Sequence, residues 1–592
     1  MPRHFHLIAT AATAVALAAF AAADRYSAAR AAATNGRPFV ATHDVTIRRS
    51  VHSDVSGVLA AHPSPARPES DIAYALDTDG PLPPNALAPE WTDEPAAPRR
   101  VVSPPLAVPR GSAAVEQRAE GARPAPDAVA SFDGLGAGFA GPQGTARLRN
   151  PSDNTLAVGP DYIVQIVNTR LAIFSKKGTR FDTTGQVLYG PVETRSIFDG
   201  FGGACADHNN GDAVVRYDQL AGRWLIVMPI FSRLSAADST LARGDTAAGH
   251  YAMCYAVSTG ASPFGPYYRY EFRRALFPDY PRPAVWPDGY YVATSSGDNV
   301  IQKDVCVADR ARMLAGEPAT EQCVTVDGVN FLNVADLDGR QLPPAGAPAI
   351  VMAAGGTQLK GVMEDDGIYV WRFHVDWRDT TRTSLSGPVK VGVAPYHYLC
   401  DGQLSDCVPQ PGTDRRLDAQ GDKLMPRLTY RRIGDQQSVV AVHSVNTAEG
   451  AGGVRWYEFR LDGAGDVSLY QQGTFAPDSA YRWMGSAAMD GAGNIGIGYS
   501  FGGTPNFAGQ RFAGRLAGDP RGELTLHEAV LAQGEAAQTN TKRWEDYTQT
   551  AVDPNDDCTI WYVGDYLRRD APGYSTRIGG FRMPGCGMTV GP

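Results

Sequence analysis

The stretch NTLAVGPDYIVQIVN, residues 154–168, decides the fold. Its two short apolar runs flank Gly159, Pro160 and Asp161, and such a turn between apolar strands is typical of an antiparallel β-hairpin. The pattern returns in six later stretches, so the sequence contains seven units whose starts are roughly 55–90 residues apart. The later units begin near Asp212, Tyr280, Asp336, Met425, Met484 and Tyr547.

A third apolar strand usually follows each hairpin. These strands are RLAIFSKKG, MCYAVST, DVCVADRARML, YVWRFHVDW, VRWYEFRLDG, RFAGRLAGD and TRIGGFRM. A lone unit of this kind cannot bury both of its faces, so repeated units favour a closed ring of blades. We therefore predict an all-β, seven-bladed β-propeller over residues 131–592. Two stacked β-sandwiches are the alternative architecture.

The composition limits the class of protein. The 592 residues include 64 Gly and 43 Pro, a turn-rich content without the strict period of collagen. Lys and Arg total 54 against 63 Asp and Glu, which gives a net charge of −9. A nucleic-acid-binding protein would show a basic stripe instead, so we expect no nucleic-acid partner.

Residues 1–23 have the features of a signal peptide. Arg3 precedes an apolar run from Leu7 to Ala23, and Ala21 and Ala23 fit the small-x-small rule of signal peptidase. A membrane anchor is the alternative, since the run is close to the shortest length that spans a bilayer. We predict cleavage, a secreted or periplasmic protein without a membrane span, and a monomer.

Residues 24–130 form a Pro/Ala-rich segment. It contains 15 prolines and few aromatic residues, and such a composition cannot bury a core. We predict that most of this segment is extended or disordered. Pieces such as VTIRRSV, residues 45–51, are candidates for docking on the main domain.

All eight cysteines lie beyond residue 200. An even number in an oxidising compartment indicates disulfides, although eight cysteines allow 105 pairings. Blade geometry favours pairs of chain neighbours, and no C-x2-C spacing indicates zinc. The favoured pairs are Cys205–Cys254, Cys306–Cys323, Cys400–Cys407 and Cys558–Cys586.

Four longer stretches resemble a family of secreted bacterial proteins with a sialidase-like or BNR-type propeller, most of them without assigned activity. The stretches are FPDYPRPAVWPDGYY (277–291), QPGTDRRLDAQGDKLMPRLTYR (410–431), YRWMGSAAMDGAGNIGIGYS (481–500) and KRWEDYTQTAVDPNDDCTIWY (542–562). The resemblance implies the propeller fold. The Asp-box S-x-D-x-G-x-T-W of sialidases is absent, so the resemblance does not extend to sialidase activity.

Residues just before each innermost strand of a propeller line its central mouth, where ligands bind on loops held by a rigid scaffold. The positions are Asp153, Asn154, His208, Asn210, Asp212, Asp279, Tyr280, Arg282, Lys423, Arg427, Arg482, Trp483, Arg543, Trp544, Asp546 and Tyr547. Five of them are candidate catalytic groups because they handle protons. These are Asp279, Tyr280, Asp546, Tyr547 and His208.

Arginine and tryptophan at the mouth suggest ligand binding. An arginine fork matches a carboxylate, and an indole face stacks on a sugar ring. We expect three arginines to converge on one anionic group, with two indoles beside them. The residues are Arg427, Arg482, Trp483, Arg543 and Trp544. The alternative is structural, in which Arg-Trp pairs pack and bind neighbouring acids, as in KRWED.

Two acidic loops have the oxygen-rich spacing of calcium sites, namely DPNDD (553–557) and DLDG (336–339). Plain β-turns are the alternative, since neither loop continues to the glutamate of an EF-hand. We therefore predict no required cofactor, with calcium as a possible ligand. GYSFG (498–502) matches G-x-S-x-G, but no helix follows the serine as a nucleophile elbow requires.

The functional hypothesis is an exported carbohydrate-active propeller that acts on an anionic glycan. A glycoside hydrolase needs a proton donor plus a nucleophile or base. A polysaccharide lyase would use tyrosine or histidine as the base, with arginine neutralising the substrate carboxylate. The alternatives are a non-catalytic secreted propeller that binds a glycan or a cell-surface protein, and a structural propeller that has lost its function.

Overall fold

The structure is a computed structural model that describes residues 44–59, 110–146, 151–230, 251–296, 302–402, 407–571 and 573–587. Regular structure in these ranges is almost entirely β-strand, as the sequence predicts. Short helical turns occupy Thr194–Phe198, Gly203–Asp207, Arg310–Ala315, Thr380–Arg382 and Leu399–Gly402. No helix in the described ranges has the length and apolar character needed to cross a membrane. The predicted signal peptide lies outside the described residues.

Six short strands precede the repeated units. They are β1 (Val45–Arg49), β2 (His52–Val55), β3 (Glu116–Gln117), β4 (Asp127–Asp133), β5 (Ala140–Gly141) and β6 (Gly144–Thr145). Strands β5 and β6 form a small hairpin of their own. The other four join sheets built from the rest of the chain.

The following strands group into antiparallel meanders, which we call sheets 1 to 7. Sheet 1 contains β7 (Thr155–Val158), β8 (Tyr162–Val167), β9 (Arg170–Ser175) and β10 (Val187–Glu193). Sheet 2 contains β11 (Val214–Asp218), β12 (Arg223–Ile230), β13 (Tyr251–Ser258) and β14 (Tyr267–Arg274). Sheet 3 contains β15 (Pro278–Trp286), β16 (Gly289–Ser296), β17 (Gln302–Ala308) and β18 (Thr320–Thr325). Sheet 4 contains β19 (Asn333–Asp338), β20 (Ala349–Ala354), β21 (Ile368–His374) and β22 (Ser384–Val391).

The hairpin of β23 (Val408–Gln410) and β24 (Thr413–Leu417) separates sheet 4 from sheet 5. Sheet 5 contains β25 (Leu428–Ile433), β26 (Gln436–Asn446), β27 (Gly452–Leu461) and β28 (Val467–Phe475). Sheet 6 contains β29 (Tyr481–Met489), β30 (Ile495–Gly503), β31 (Asn506–Arg515) and β32 (Ala529–Ala532). Sheet 7 contains β33 (Gln549–Val552), β34 (Thr559–Tyr566) and β35 (Ser575–Arg582).

The first strands of consecutive sheets contact one another in chain order. Strand β7 contacts β11, β11 contacts β15, and the series continues through β19, β25, β29 and β33. Strand β33 contacts β7 again, so the series closes on itself. Strands β19 and β25 also pair in parallel, which joins sheets 4 and 5. The beginnings of these first strands therefore lie around one axis.

The hairpins and third strands predicted from the sequence form, except that the second half of DVCVADRARML belongs to the helical turn Arg310–Ala315. Each sheet also contains a fourth strand that the sequence analysis did not predict. In sheets 1 to 6 this strand follows the third along the chain. In sheet 7 it is β4, which pairs antiparallel with β35. The predicted domain boundary at residue 131 therefore cuts through a strand.

The segment expected to be disordered contributes strands wherever the structure describes it. Strand β1, from the VTIRRSV stretch, pairs with β18 from Val45↔Val324 to Arg49↔Thr320. Strand β2 adds to β14 at the edge of sheet 2. These strands gain backbone hydrogen bonds at a sheet edge, which a composition argument does not consider. The remainder of residues 24–109 lies outside the described residues.

Neighbouring sheets pack face to face, which explains why most strands are apolar on both sides. Every residue of β8, β9, β29 and β30 is buried. Gly498 shows how closely sheets 6 and 7 approach, since a Cβ at this position would lie 2.2 Å from the Tyr562 ring. Only glycine allows that contact.

Four disulfides form between the pairs that blade geometry favours: Cys205–Cys254, Cys306–Cys323, Cys400–Cys407 and Cys558–Cys586. The first joins the turn before sheet 2 to β13, and the second joins β17 to β18. Each bond closes a loop of at most 49 residues.

Buried charges link the sheets at the axis. Arg216 on β11 donates from Nε to the Pro283 carbonyl at 3.0 Å and from Nη1 to Gln549 Oε1 at 2.5 Å. The same guanidinium lies 3.3 Å from Asp336 Oδ2. Asp336 also accepts the Val285 N–H at 2.8 Å. One arginine therefore joins sheets 2, 3, 4 and 7.

Strand β4 should be essential for the stability of sheet 7. Asp133 at its end accepts hydrogen bonds from Arg577 at 2.8 Å and from the Tyr566 hydroxyl at 2.7 Å. We expect a chain that starts at residue 134 to melt roughly 5 °C or more below one that starts at residue 119, since it leaves the edge of β35 unpaired. Both chains lack β1 to β3, so they differ only in β4 and its flanks. Equal melting temperatures in calorimetry would show that β4 is dispensable.

Candidate functional site

Four aspartates from different sheets meet where the first strands begin. Asp153 precedes β7, Asp212 precedes β11, Asp279 is on β15 and Asp546 precedes β33. Side-chain hydrogen bonds join Asp212 to both Asp153 and Asp279, and Asp546 interacts electrostatically with all three. We call these four residues the acid cluster.

Asp212 is one of three carboxyl groups in the acid cluster whose pKa is raised, together with Asp153 and Asp279. Burial and the neighbouring charges of Asp153 and Asp279 raise the pKa of Asp212 well above its ordinary value. The hydrogen bond with Asp279 also raises the pKa of Asp212, whereas the bond with Asp212 lowers the pKa of Asp279. Two carboxyl groups can share a hydrogen bond only when one of them is protonated. Of this hydrogen-bonded pair, Asp212 is therefore the carboxyl whose pKa is raised by the shared bond.

Asp546 has the opposite environment. Arg543 forms an ion pair with its Oδ2 atom, and Gln420 Nε2 donates to its Oδ1 atom at 3.1 Å. Arg543 also lies 3.2 Å from Asp418. These donors stabilise a carboxylate anion. The acid cluster thus places a carboxyl group with a raised pKa and a carboxyl group paired with arginine at a single location.

Two tyrosines complete the site. The Tyr280 hydroxyl donates to the Asp546 carbonyl at 2.6 Å, and the rings of Tyr280 and Tyr547 meet edge to face at 4.9 Å. Burial is the largest cause that raises the pKa of both phenols. The second cause is the charge of Asp546 for Tyr280 and the charge of Asp212 for Tyr547. The Tyr547 hydroxyl is buried and has no hydrogen-bond partner among the described residues. It is therefore a free donor facing the aspartates.

The backbone is strained at the same positions. Asp153 has a φ of 45°, Asp212 of 53°, Tyr280 of 49° and Asp546 of 64°. Side chains rarely adopt this left-handed region, and tyrosine does so least readily. The bend comes at or just before the first strand in each of these sheets, which is how the strand start turns its side chain toward the axis.

Glu545 anchors the loop that carries Arg543, Asp546 and Tyr547. Its Oε2 accepts the Ser500 hydroxyl at 2.8 Å, and its Oε1 accepts Gln510 Nε2 at 2.9 Å. The Glu545 carbonyl accepts the Asp153 N–H at 2.8 Å. The loop is therefore fixed both to sheet 6 and to the acid cluster. The fully buried Ser500 is part of this network.

The three predicted arginines do not converge on one group. Arg427 is buried and pairs with Asp336 and Asp338. Arg482 pairs with Asp478 at 2.7 Å and with Glu528 at 2.8 Å.

Arg543 alone reaches the acid cluster. Buried arginines take the nearest carboxylates, and each of the three has a different set. The expected common anion site is therefore wrong for these arginines.

The two predicted indoles belong to the core. Trp483 and Trp544 are both 0% exposed, and Trp544 Nε1 donates to the Ser500 hydroxyl at 2.9 Å. A ring without exposed surface cannot stack on a sugar, so their proposed ligand role is also wrong. The structural alternative, in which Arg-Trp pairs pack and bind acids, describes them correctly.

His208 ends the helical turn Gly203–Asp207, where its N–H donates to the Ala204 carbonyl at 3.1 Å. The turn is fixed to β13 by the Cys205–Cys254 disulfide. The role of His208 as a catalytic group remains a prediction from the sequence.

The two acidic loops use their oxygens for protein contacts. Lys176 Nζ lies 2.8 Å from both carboxylate oxygens of Asp553, and Trp561 Nε1 donates to the same group at 3.0 Å. Asp336 and Asp338 bind arginine. A calcium ion would have to replace these cations, so the loops fit β-turns better than a calcium site.

Two residues of the site escape the sequence analysis. Glu545 falls inside KRWED, but the sequence does not show that it turns away from the mouth. Lys303 lies beside Asp279 and Arg282, although it is on the third strand of sheet 3. The sequence analysis considers only residues just before each innermost strand, so it cannot identify a residue on a third strand.

A small surface cleft of about 50 Å³ lies elsewhere, lined in part by Glu116, Glu449 and Asp478. Asp478 there is already paired with Arg482. The acid cluster is the better candidate site, because Asp153, Asp212 and Asp546 are buried and three of its carboxyl groups have a raised pKa.

No protein-family model matches the sequence, and no curated protein matches it. Among solved structures, a protein of unknown function from Dyadobacter fermentans DSM 18053 is 9% identical, with a TM-score of 0.32, over 78% of this chain and 100% of that chain. An exo-1,5-α-L-arabinanase from a bovine ruminal metagenomic library is 9% identical, with a TM-score of 0.26, over 54% and 96%. A neuraminidase-like protein of A/flat-faced bat/Peru is 9% identical, with a TM-score of 0.25, over 80% and 98%. Similarities at this level carry no argument about function.

Glu545 should make stability depend on pH. Burial raises its pKa from 4.5 to about 8, so the folded protein holds this proton more tightly than the unfolded chain. The resulting stabilisation is complete below pH 4.5 and is lost as the pH rises through about 8. Glu545→Gln should therefore gain roughly 1–4 kcal/mol relative to wild type between pH 5 and pH 8, since one pKa unit corresponds to about 1.4 kcal/mol.

Urea unfolding at both pH values measures this difference. Glu535→Gln is the control, because Glu535 is exposed. This substitution should change the free energy of unfolding equally at both pH values. A Glu545→Gln variant whose stability relative to wild type is the same at pH 5 and pH 8 would contradict the expectation.

Proposed function

We propose that the protein is an exported glycoside hydrolase on a seven-bladed β-propeller, with its reaction at the acid cluster. The closed series of first-strand contacts supports the ring. The four disulfides support an oxidising compartment, and hence a secreted or periplasmic protein. The predicted signal peptide would direct this export, and we expect a monomer.

The observation that carries the proposal is the unequal pair of Asp212 and Asp546. Glycoside hydrolysis requires one carboxylic acid that protonates the leaving oxygen and one carboxylate that acts as nucleophile or base. Asp212 would serve as the acid, because burial and the neighbouring Asp153 raise its pKa and so favour the protonated form. Asp546 would serve as the carboxylate, because Arg543 holds it as an anion.

Hydrolysis is favoured over the lyase reaction. A lyase would need Tyr280 or Tyr547 as a base, but burial among carboxylates raises the pKa of both phenols. A phenol that holds its proton so tightly is a poor base at neutral pH. Tyr547, with its unpartnered hydroxyl, is better suited to donating a hydrogen bond to a substrate oxygen.

The substrate class is an extracellular glycan. The predicted anionic character of the glycan no longer has support from Arg427 and Arg482, which are neutralised within the protein. The proposed substrate is therefore an extracellular glycan, and these two arginines do not select for a charged sugar.

Replacing either carboxyl should abolish hydrolysis while leaving the fold intact. We expect Asp212→Asn and Asp546→Asn to lose about 10²–10⁴-fold in rate, the usual contribution of a positioned acid or base. The measurement is release of reducing ends from neutral and acidic polysaccharides, with absorbance of unsaturated uronate read in parallel. Asp478→Asn is the control, because Asp478 pairs with Arg482 outside the acid cluster.

Three outcomes would overturn the proposal. Unsaturated uronate as the product would indicate a lyase. Glycan binding without cleavage by the wild-type protein would indicate the non-catalytic binding propeller. Full activity in both variants would place the reaction elsewhere.

A further inference from the structure

The proposed acid and the proposed carboxylate are covered by protein. Asp212 and Asp546 are each 5% exposed, and Tyr547 beside them is 3% exposed. A sugar unit must contact both carboxyl groups in order to react. Glycan hydrolysis at the acid cluster therefore requires a part of the protein that moves aside.

The connection between sheets 4 and 5 is the longest one between consecutive sheets of the described strands. It runs from Val391, the end of β22, to Leu428, the start of β25, whereas sheets 2 and 3 are joined by a short turn. Long connections in a compact domain are usually functional, and active-site lids are among them. We call residues 407–423, which follow the Cys400–Cys407 disulfide and contain the β23–β24 hairpin, the cover segment.

The cover segment binds the loop before sheet 7. The Asp418 N–H donates to the Lys542 carbonyl at 2.9 Å, and Asp418 Oδ2 lies 3.2 Å from Arg543 Nε. Two residues further along the chain, Gln420 Nε2 donates to Asp546 Oδ1 at 3.1 Å. This oxygen belongs to the carboxylate that would act on the sugar, so Gln420 occupies a position that a substrate group would need.

The end of the cover segment binds sheets 3 and 4. Asn330 Nδ2, just before β19, donates to the Asp422 carbonyl at 2.7 Å and to the Asp422 Oδ2 atom at 2.8 Å. Lys423 Nζ lies 5.6 Å from the ring centre of Tyr280 on β15. Residues 418–423 therefore cross from sheet 7 to sheets 3 and 4 at the level of the strand starts, and all six are buried.

The cover segment is fixed at both ends. The disulfide ties Cys407 to the Leu399–Gly402 turn, and just after the segment the Met425 N–H donates to the Val442 carbonyl at 2.9 Å. The side-chain contacts that reach the other loops are hydrogen bonds and ion pairs, which sugar hydroxyl groups can replace. Gln420 also has a φ of 45°, so the backbone is strained at the residue that contacts the acid cluster.

We propose that the cover segment is a lid over the acid cluster, closed by the contact of Gln420 with Asp546 and opened to admit a glycan unit. The inference rests on the proposed hydrolase function, because a substrate at the acid cluster is what requires the opening. Opening frees Asp546 Oδ1 and exposes Asp212, while the two fixed ends stay in place. Since a glycan binds only to the open form, its apparent affinity is reduced by the fraction of molecules that are open.

Gln410 on β23 holds the lid closed through contacts outside the acid cluster. Its Oε1 accepts the Gln538 N–H at 2.7 Å, and its Nε2 donates to the Gln538 carbonyl at 2.9 Å. Gln341 forms the same pair of bonds with the Gly434 backbone, at 2.8 Å and 2.7 Å, but outside the cover segment. Gln410→Ala and Gln341→Ala therefore remove equivalent bonds, and only the first variant loosens the lid.

Hydrogen exchange of the full wild-type chain, read at single amides by mass spectrometry, tests the lid without a substrate. The Asp418 N–H becomes exposed when the lid opens, whereas the buried Val440 N–H of β26 becomes exposed only when sheet 5 unfolds. We expect the Asp418 amide to exchange at least about 10-fold faster than the Val440 amide. Equal rates would show that the cover segment opens only with global unfolding, and would overturn the lid.

Gln410→Ala should open the lid more often. The loss of two hydrogen bonds should raise the exchange rate of the Asp418 amide roughly 5- to 100-fold. Labelling of Asp212 and Asp546 by a water-soluble carbodiimide should rise by a similar factor. Hydrolysis of a susceptible polysaccharide at low substrate concentration should also become faster, because the open fraction increases. Gln341→Ala is the matched control and should keep wild-type values in all three measurements.

A folded Gln410→Ala variant with wild-type exchange and labelling would overturn the lid. If this variant does not fold, the wild-type exchange rates decide. Failure of the hydrolase proposal looks different. Faster exchange and labelling in a protein that cleaves no polysaccharide would retain the lid and remove the enzyme. Cleavage by a wild-type protein whose Asp418 amide exchanges as slowly as β26 would retain the enzyme and remove the lid.

Discussion

The burial of Arg216 against Asp336 is the constraint on which the rest of the structure depends. Ring closure brings the first strands together at one axis, and polar side chains there lose water. Arg216 compensates by binding groups on sheets 3, 4 and 7. Arg427 neutralises the same Asp336 from sheet 5. Removing one partner would leave an uncompensated buried charge, so the sheets are held in mutual register at this point.

The buried arginines near the axis have different roles, which depend on the groups that they bind. Arg427 joins sheets 4 and 5, whereas Arg482 binds carboxylates beside the strands of its own sheet 6, and both are already neutralised within the protein. Arg543 has two roles, since it fixes a loop and also forms an ion pair with Asp546 of the acid cluster. Arg282 is bound only by neutral groups among the described residues. The role of an arginine near the mouth therefore depends on its partners. The residue type alone does not distinguish an arginine that stabilises the fold from one that binds a ligand.

The same reasoning explains what the sequence could predict. Hairpins and third strands are visible because two-sided burial makes strands such as β8 and β30 continuous apolar runs. The fourth strands are harder to predict. Strand β22 alternates between exposed and buried residues in its first half, and the first half of β28 is only partly buried. Strand β4 comes from a proline-rich segment far away along the chain. The position at the start of a first strand is enough to predict four residues of the site, namely Asp279, Tyr280, Asp546 and Tyr547. Their pKa shifts cannot be predicted in this way, because the shifts depend on distances between side chains of different sheets.

The strained strand starts connect the fold to the proposed chemistry. A first strand that began in regular extended geometry would alternate its side chains between the two adjacent sheets, which is what burial favours. The left-handed residues Asp153, Asp212 and Asp546 interrupt that alternation and direct a carboxyl to the axis instead. Burial of these carboxyl groups, followed by the charges of Asp153 and Asp279, raises the pKa of Asp212. The meeting of carboxyl groups from different sheets thus depends on the bends at the strand starts, and the bonds of Glu545 to sheet 6 and to Asp153 keep one of these bends in place.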